Sequence, residues 1–476
     1  MVLNSNDEKI NKKSAKKILF VFLLAGFLSM LNETALNIAF PTIMIEYNIP
    51  ATTVQWLTTI FVFVTGIVFI ISAYLIERFT TKKLFITAML FLIIGTIVTY
   101  ISTTFVVLII GRIIQAIGTG IIVPLLFNSV LILSSPEKRG ITMGLVSLVV
   151  FAAPMIAPVV MGSLMSITDW HNFFILIFIL FIISTIIGLK FLQNINKVHY
   201  SKLDVLSIIL VIIGFGGILY TLSEFGISGL CTTNIISVII GILAIALFIR
   251  RQLRLNSPLL DLHVFKYSFF NIGLLINLVN IMIIFAIIIV LPMYLQTALH
   301  TTSLVASLVM LPGGILNCIL SLVSGKIYDK QGPKLIVSIG LLMMAISLIL
   351  LTHLSITTTL STIVILTCIF YSGSALLVSA NQTHTLGNLP VKYYASGSAI
   401  MTSLQQMGGA IGSSLFVSLM TIGQINYLEN IINPTVPDQI VALVSGVNFS
   451  FEIASIIAII AFILSLFTKS KKENNE

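Results

Sequence analysis

Two ionisable side chains, Glu33 and Arg112, lie deep within long apolar runs of this sequence. A carboxyl group and a guanidinium that approach and separate make a proton switch. Beside the cation the carboxylate stays ionised; moved away from it into a dry cavity, it takes up a proton. Leaving either group unpaired at membrane depth costs at least about 2.5–3.5 kcal/mol on insertion scales, so such residues are functional candidates by default. The alternative is a fixed pair that joins two helices. Amide side chains offer a second chemistry, hydrogen bonding inside a cavity. Asn32, Asn37, Gln115, Asn317 and Gln405 are candidates, with Asn277, Asn280, Asn381, Gln382 and Gln406 beside them. For each, helix-to-helix hydrogen bonding is the competing role. Catalytic and metal chemistry find no counterpart: the six histidines are scattered, no H-E-x-x-H occurs, and the three cysteines lack ligand or disulfide spacing. There is also no G-x-x-x-x-G-K-S/T phosphate loop, so ATP is not expected as the direct energy source. No catalytic residue, metal or cofactor is expected.

The elements that must position these residues follow from composition. Of 476 residues, 58% are hydrophobic and 9% charged, with a mean hydropathy of +1.12; soluble proteins carry about 25% charged residues. So few charges cannot cover a soluble surface, and the chain is read as an all-α polytopic membrane protein. A span needs about 20 mainly apolar residues to cross about 30 Å of hydrocarbon. Fourteen such stretches are expected, at 18–40, 54–76, 84–102, 105–133, 140–164, 171–192, 204–224, 232–249, 270–295, 303–325, 335–353, 357–385, 395–423 and 447–468.

Charge placement orients them. Twenty-four of the 25 lysines and arginines fall in the tails or the even-numbered connections, while the odd-numbered connections hold Glu46, Asp169, Glu429 and Asp438. Under the positive-inside rule both termini are cytoplasmic. The net charge of +9 is then a topology signal rather than a nucleic-acid surface. A lysine-rich start before an apolar run resembles a secretory signal, but with no A-x-A-like cleavage site it is read as an uncleaved first span. On this map Glu33 and Arg112 each lie seven residues below the outer end of their span. At 1.5 Å per residue both sit about 10 Å deep, so a pair is permitted, direct or through Gln115 or water.

A repeat sets the organisation. Ala73-Tyr-Leu-Ile-Glu77-Arg78-Phe-Thr80-Thr-Lys82 follows span 2, and Gly325-Lys-Ile-Tyr-Asp329-Lys330-Gln-Gly332-Pro-Lys334 follows span 10, an offset of 252 residues or eight spans. Two pseudo-symmetric six-helix bundles would place copies six spans apart, so the expected layout is 6+2+6. That gives cytoplasmic tails at 1–17 and 469–476, bundles at 18–192 and 270–468, and a linker with two extra spans at 193–269. Repeated halves around a midplane site are a transporter architecture. The acid-base pairs Glu77-Arg78 and Asp329-Lys330 suit a cytoplasmic gate of inter-helix charge locks; solvated loop charges are the alternative. The connection at 424–446, with Pro434 and Pro437, is long enough to cover the outer mouth.

These loop copies resemble the G-x-L-a-D-r-x-G-r-k signature of the major facilitator superfamily, with Glu77 in place of Asp and Ala73 and Thr80 in place of glycines. Leu31-Asn32-Glu33-Thr34-Ala35-Leu36-Asn37-Ile38-Ala39-Phe40-Pro41, Gln55-Trp56 with Thr58, Pro258-Leu-Leu-Asp261-Leu and Leu311-Pro312-Gly313 are similar to the fourteen-span drug:proton antiporter branch. That branch contains the lincomycin-resistance and quaternary-ammonium efflux pumps of Gram-positive bacteria. Arg112-x-x-Gln115-x-x-Gly118 matches its span-4 signature, whose arginine the resemblance implicates in proton coupling. Many relatives carry Asp where this chain has Asn32, and the step to Glu33 turns the side chain by about 100° around the helix. Ala153-Pro154-Met-Ile-Ala157-Pro158-Val-Val-Met161-Gly162 resembles the antiporter motif g-x-x-x-G-P-x-x-G-G, with Ala157 and Met161 replacing glycines; an ordinary proline-kinked helix is the alternative.

The resemblance implies proton-coupled export of small-molecule drugs or dyes, hydrophobic and often cationic, by a monomer in the bilayer of a bacterial plasma membrane. Export or flipping of an endogenous lipid is the alternative, and a membrane sensor or enzyme is the different class.

Overall fold

The structure, a computed structural model, describes residues 12–133, 139–195, 204–229, 231–255, 258–331, 333–390, 393–429, 431 and 434–466. Backbone polar groups in hydrocarbon must be satisfied within their own segment, which favours helices. No strand occurs among the described residues. α1 (Lys12–Ala35) passes through a 3-10 turn at Leu36–Ala39 into α2 (Phe40–Tyr47), and a short α3 (Ala51–Val54) leads into α4 (Trp56–Arg78). Then come α5 (Thr81–Tyr100), α6 (Phe105–Leu133), α7 (Arg139–Met165), α8 (Asn172–Phe191), α9 (Val205–Ser228) and α10 (Thr232–Gln252). A 3-10 turn at Leu262–Lys266 precedes α11 (Ser268–Thr297), α12 (Ser303–Gln331), α13 (Pro333–Leu351), α14 (Leu360–Gly387), α15 (Tyr394–Leu428) and α16 (Val436–Ser465). Among the described residues, thirteen segments are long and apolar enough to cross a bilayer, and α7 adds a shorter apolar stretch at Ala152–Met165.

Two expected boundaries move. The first apolar run does not stop at Phe40 but continues as α2, because Pro41 stands in the first turn of that helix, where a missing N–H is tolerated. The connection expected at 424–446 shrinks to 429–435, since α15 runs to Leu428 and α16 starts at Val436. Here too a proline opens a helix. Pro437 lies in the first turn of α16, behind a capping box in which the Asp438 carboxylate accepts from the Thr435 backbone N–H at 2.8 Å. The connection long enough to cover the mouth is therefore corrected to the short interval between the ends of these two helices.

α1 packs on α6, α7 and α8, α4 on α6, and α5 on α6 and α8. α11 packs on α14, α15 and α16, α13 on α14 and α16, and α12 on α14. The two sets meet along α4–α15 and α7–α12, and the first 3-10 turn touches α7, α11 and α12. Small residues set the closest approaches: a Cβ added at Gly118 of α6 would lie 2.7 Å from the Ala88 carbonyl of α5. The end at which α1 begins and α16 finishes is the tail end; the opposite one is the far end.

α9 and α10 form a hairpin stapled at both ends. Asp204 caps α9 and accepts from Arg251 through Nε at 2.9 Å and Nη2 at 2.8 Å, while Gln252 Nε2 donates to Ser207 at 2.6 Å. The Arg251 guanidinium holds the Asp204 carboxyl below the ordinary carboxylate range. At the other end Asn234 Nδ2 donates to the Gly229 carbonyl at 2.8 Å. α9 also lies against α15, where the Ser223 and Ser414 hydroxyls are 3.0 Å apart.

Candidate functional site

α6 carries Arg112 fully buried between α1 and α4. Its guanidinium donates through Nη1 to the Asn32 carbonyl at 3.0 Å, Nη2 to the Glu33 carbonyl at 2.8 Å and Nε to the Leu57 carbonyl at 3.3 Å. Nη1 also reaches Gln115 Oε1 at 3.1 Å, and the Phe61 ring centroid lies 4.1 Å from Cζ. A helical carbonyl has a second lone pair beyond its ladder bond, so it can accept from a neighbouring helix. The planar fork suits two adjacent carbonyls, and the aromatic face adds a cation–π contact in a desolvated setting.

Glu33 sits beside it and is buried, with 5% of the residue exposed. The geometry differs from a direct ion pair: Arg112 grips the backbone of residue 33 rather than its carboxylate. The carboxyl lies instead beside Gln406 of α15, and its Oε2 has no hydrogen-bond partner. The carboxyl thus faces from α1 toward α15 across the meeting of the two sets. Both side-chain polar atoms of Asn32 and of Gln55, and Nδ2 of Asn37, are likewise buried without partners, while Asn37 Oδ1 accepts from Thr58. A buried acid with an unmatched oxygen, near a cation committed elsewhere, is a group able to bind a proton or a cationic guest.

The other sequence candidates fall into two kinds. Gln115 and Asn317 are committed to structure: Gln115 Nε2 donates to Thr96 at 3.0 Å, and Asn317 Nδ2 to the Tyr371 carbonyl at 3.0 Å. Gln405 is half-buried on α15, and Asn277 and Asn280 of α11 each keep one buried polar atom unmatched. Pro154, Ala157, Pro158 and Gly162 line one stretch of α7, which stays helical through both prolines. Gly162 lies where an added Cβ would meet the Ser303 carbonyl of α12 at 2.7 Å, placing this motif on the α7–α12 seam. Arg78 ends α4. The side chains of Glu77, Asp329 and Lys330 lie outside the described residues.

Sequence reasoning missed several contacts. The Leu57 carbonyl and the Phe61 ring carry no signal in the residue type, since backbone acceptors and apolar rings occur everywhere. Thr59 and Ser413, whose hydroxyls lie 2.6 Å apart across α4–α15, looked like ordinary small residues. Gln296, an amide four residues after Pro292, was a visible signal that went unread; its Nε2 donates to the Ile38 carbonyl at 2.8 Å. At the far end, Glu46 accepts from Trp170 Nε1 at 2.7 Å, and His171 Nδ1 lies 3.0 Å from Asp169. Burial alone would push the Asp169 carboxyl up, but hydrogen bonds from His171 bring it below its ordinary value. No group of three or more metal-ligating residues occurs among the described residues.

Residues 22–413 match the family model described as Major Facilitator Superfamily. The chain is 39% identical over 457 residues to a lincomycin resistance protein of Listeria monocytogenes, covering 96% of this chain and 97% of that one. It is also 39% identical over 476 residues to a lincomycin resistance protein of Bacillus subtilis, covering 99% of each. Among solved structures, a bacterial homologue of the human lysosomal transporter Spinster, in an inward-facing and unoccupied conformation, is similar with a TM-score of 0.67. That match covers 96% of this chain and 97% of the other at 14% identity, a likeness of fold alone.

Proposed function

The chain belongs to the Major Facilitator Superfamily, and from that premise we propose that it is a proton-coupled multidrug efflux antiporter. It exports hydrophobic, often cationic, compounds by alternating access across a bacterial plasma membrane. In this reading fourteen spans are arranged as 6+2+6, the bundles are 18–192 and 270–468, and α9 and α10 are the inserted pair within 193–269. The tail end is cytoplasmic, with both termini inside, and the monomer is the working unit.

The observation that carries the proposal is the division of labour at Glu33. Arg112 holds the backbone of residues 32 and 33 in place, while the carboxyl faces Gln406 across the two bundles. Rocking of the bundles changes what faces that carboxyl. Opened to the outside, Glu33 takes a proton and gives up a cationic guest. Opened to the cytoplasm, with water and the field of Arg112 favouring the charged form, it releases the proton and accepts the next guest. The membrane potential contributes about 2.3 kcal/mol per charge per 100 mV to the inward proton step. One acid in a mainly apolar surround suits monovalent or neutral lipophilic compounds, with Asn32, Asn37 and Gln405 as polar contacts. The α7–α12 seam at Pro154, Ala157, Pro158 and Gly162 limits leak, and Glu77, Arg78, Asp329 and Lys330 gate the cytoplasmic side.

The test is dye export into everted vesicles with an imposed proton gradient. Wild type is expected to accumulate dye and to lose this on gradient collapse, whereas Glu33→Gln keeps at most about a tenth of the gradient-driven rate. Equal export by Glu33→Gln at every pH would overturn the proton role.

A further inference from the structure

Pro41 leaves one carbonyl in span 1 without its helical donor. Residues 36–39 form a 3-10 turn, in which the Ile38 carbonyl would accept from the N–H of residue 41. Residue 41 is proline and has no N–H. Nor does α2 supply a donor, since its N-cap is Ala39, whose carbonyl accepts the first bond of that helix. Gln296, in the last turn of α11, fills the gap. Its Nε2 donates to the Ile38 carbonyl at 2.8 Å, and its Oε1 accepts from Ser303 Oγ, the first residue of α12, at 2.8 Å. Beside it, Gly162 of α7 lets α12 approach closely at Ser303 and Ser307.

We propose that Gln296 is the latch of the far-end gate, a positioning residue that stabilises the outward-closed state by satisfying the carbonyl orphaned by Pro41. This rests on the reading above that the far end faces outward. The bond joins span 1 of one bundle to spans 9 and 10 of the other, so opening the far end must break it. The two states differ in what replaces it. With the gate open, water hydrogen-bonds the Ile38 carbonyl and the Gln296 amide. With the gate closed, water is excluded and an unmatched carbonyl is costly. Removing the amide therefore penalises the closed state selectively and moves the population toward outward-open. The same element fixes which bundle faces meet, because Ser303 holds the amide oxygen and turns Nε2 toward Ile38.

Hydrogen–deuterium exchange of the full chain in lipid nanodiscs tests this without drug or proton gradient, so its outcome is separable from the antiport reading. Gln296→Leu, similar in size but without either bond, is expected to raise exchange about tenfold in segments 36–47 and 296–309. Exchange near 78–83 at the tail end should fall at the same time. Ser303→Ala, which frees the amide while leaving it in place, should give a smaller change of the same sign, about threefold. An unchanged far end in Gln296→Leu overturns the proposal. So does an equal rise at both ends, which marks general loosening rather than a shifted equilibrium. If Gln296→Leu fails to fold, Ser303→Ala decides, and a far-end rise below about twofold overturns the latch.

Discussion

At Arg112, four hydrogen bonds use a guanidinium that has five donors, and three of the acceptors are backbone carbonyls. A lysine there would keep the charge and lose the fork, because an ammonium cannot span two adjacent carbonyls while also reaching Leu57 and Gln115. Hydrogen bonds to charged groups are worth about 1.5–3 kcal/mol each, so Arg112→Lys is expected to slow gradient-driven dye export at least about tenfold, read as initial rate in everted vesicles. Export at the wild-type rate would mean that charge alone suffices at this site. The position of Arg112 was legible as the one base deep inside a span. Its partners were not, since a carbonyl belongs to every residue and the sequence does not say which one a side chain will choose. Glu33 shows the same limit: its depth was readable, but the turn of its carboxyl toward α15 depends on how two distant parts of the chain come together.

Helices were easier to read than the joints between them. Long apolar runs, which report directly on hydrocarbon, pointed to the thirteen long apolar segments found among the described residues. The joints at Phe40 and 424–446 lie elsewhere in the structure, because Pro41 and Pro437 each stand in the first turn of a helix that carries the chain on. The hairpin of α9 and α10 has a pH-dependent joint of its own. Asp204 is held below the ordinary carboxylate range by Arg251. Its contribution is therefore fully present above the unfolded value of about 3.9 and is lost as pH falls through the lower folded value. The Arg251 side chain is 36% exposed, so solvent screening keeps the pair weak. Asp204→Asn should lower the thermal midpoint by no more than a few degrees at pH 7, and the gap from wild type should close as pH falls through the lowered folded value of Asp204. A gap that persists in acid would assign the effect to the cap rather than the charge pair.

For the molecule as a whole, the proposed alternating access asks the α4–α15 and α7–α12 seams to open and close in turn, and α9 packs mainly on α15, with lighter contact to α3 and α4. Thr59 and Ser413 face each other across α4–α15, with hydroxyls 2.6 Å apart, whereas Ser223 and Ser414 join α9 to α15 at 3.0 Å. Each contact offers a pair of positions for cysteine cross-linking. Oxidation of Thr59→Cys with Ser413→Cys is expected to stop export, and oxidation of Ser223→Cys with Ser414→Cys to leave at least about half of it. Reduction should restore the first. If the second pair also stops export, α9 does not travel with α15. The repeated acid-base loop led to the expectation of two halves, but where α9 and α10 rest was not legible, because the serines of α9 and α15 are too common to mark an interface. The stapled hairpin carries a consequence for how such a chain is made and changed. Closed by Asp204 and Arg251 at one end and by Asn234 at the other, it can enter the bilayer as a finished unit, and its exposed isoleucines ask only for lipid. A hairpin whose own side chains close both ends leaves α15 to supply only its seat, through Ser414 and Ser418.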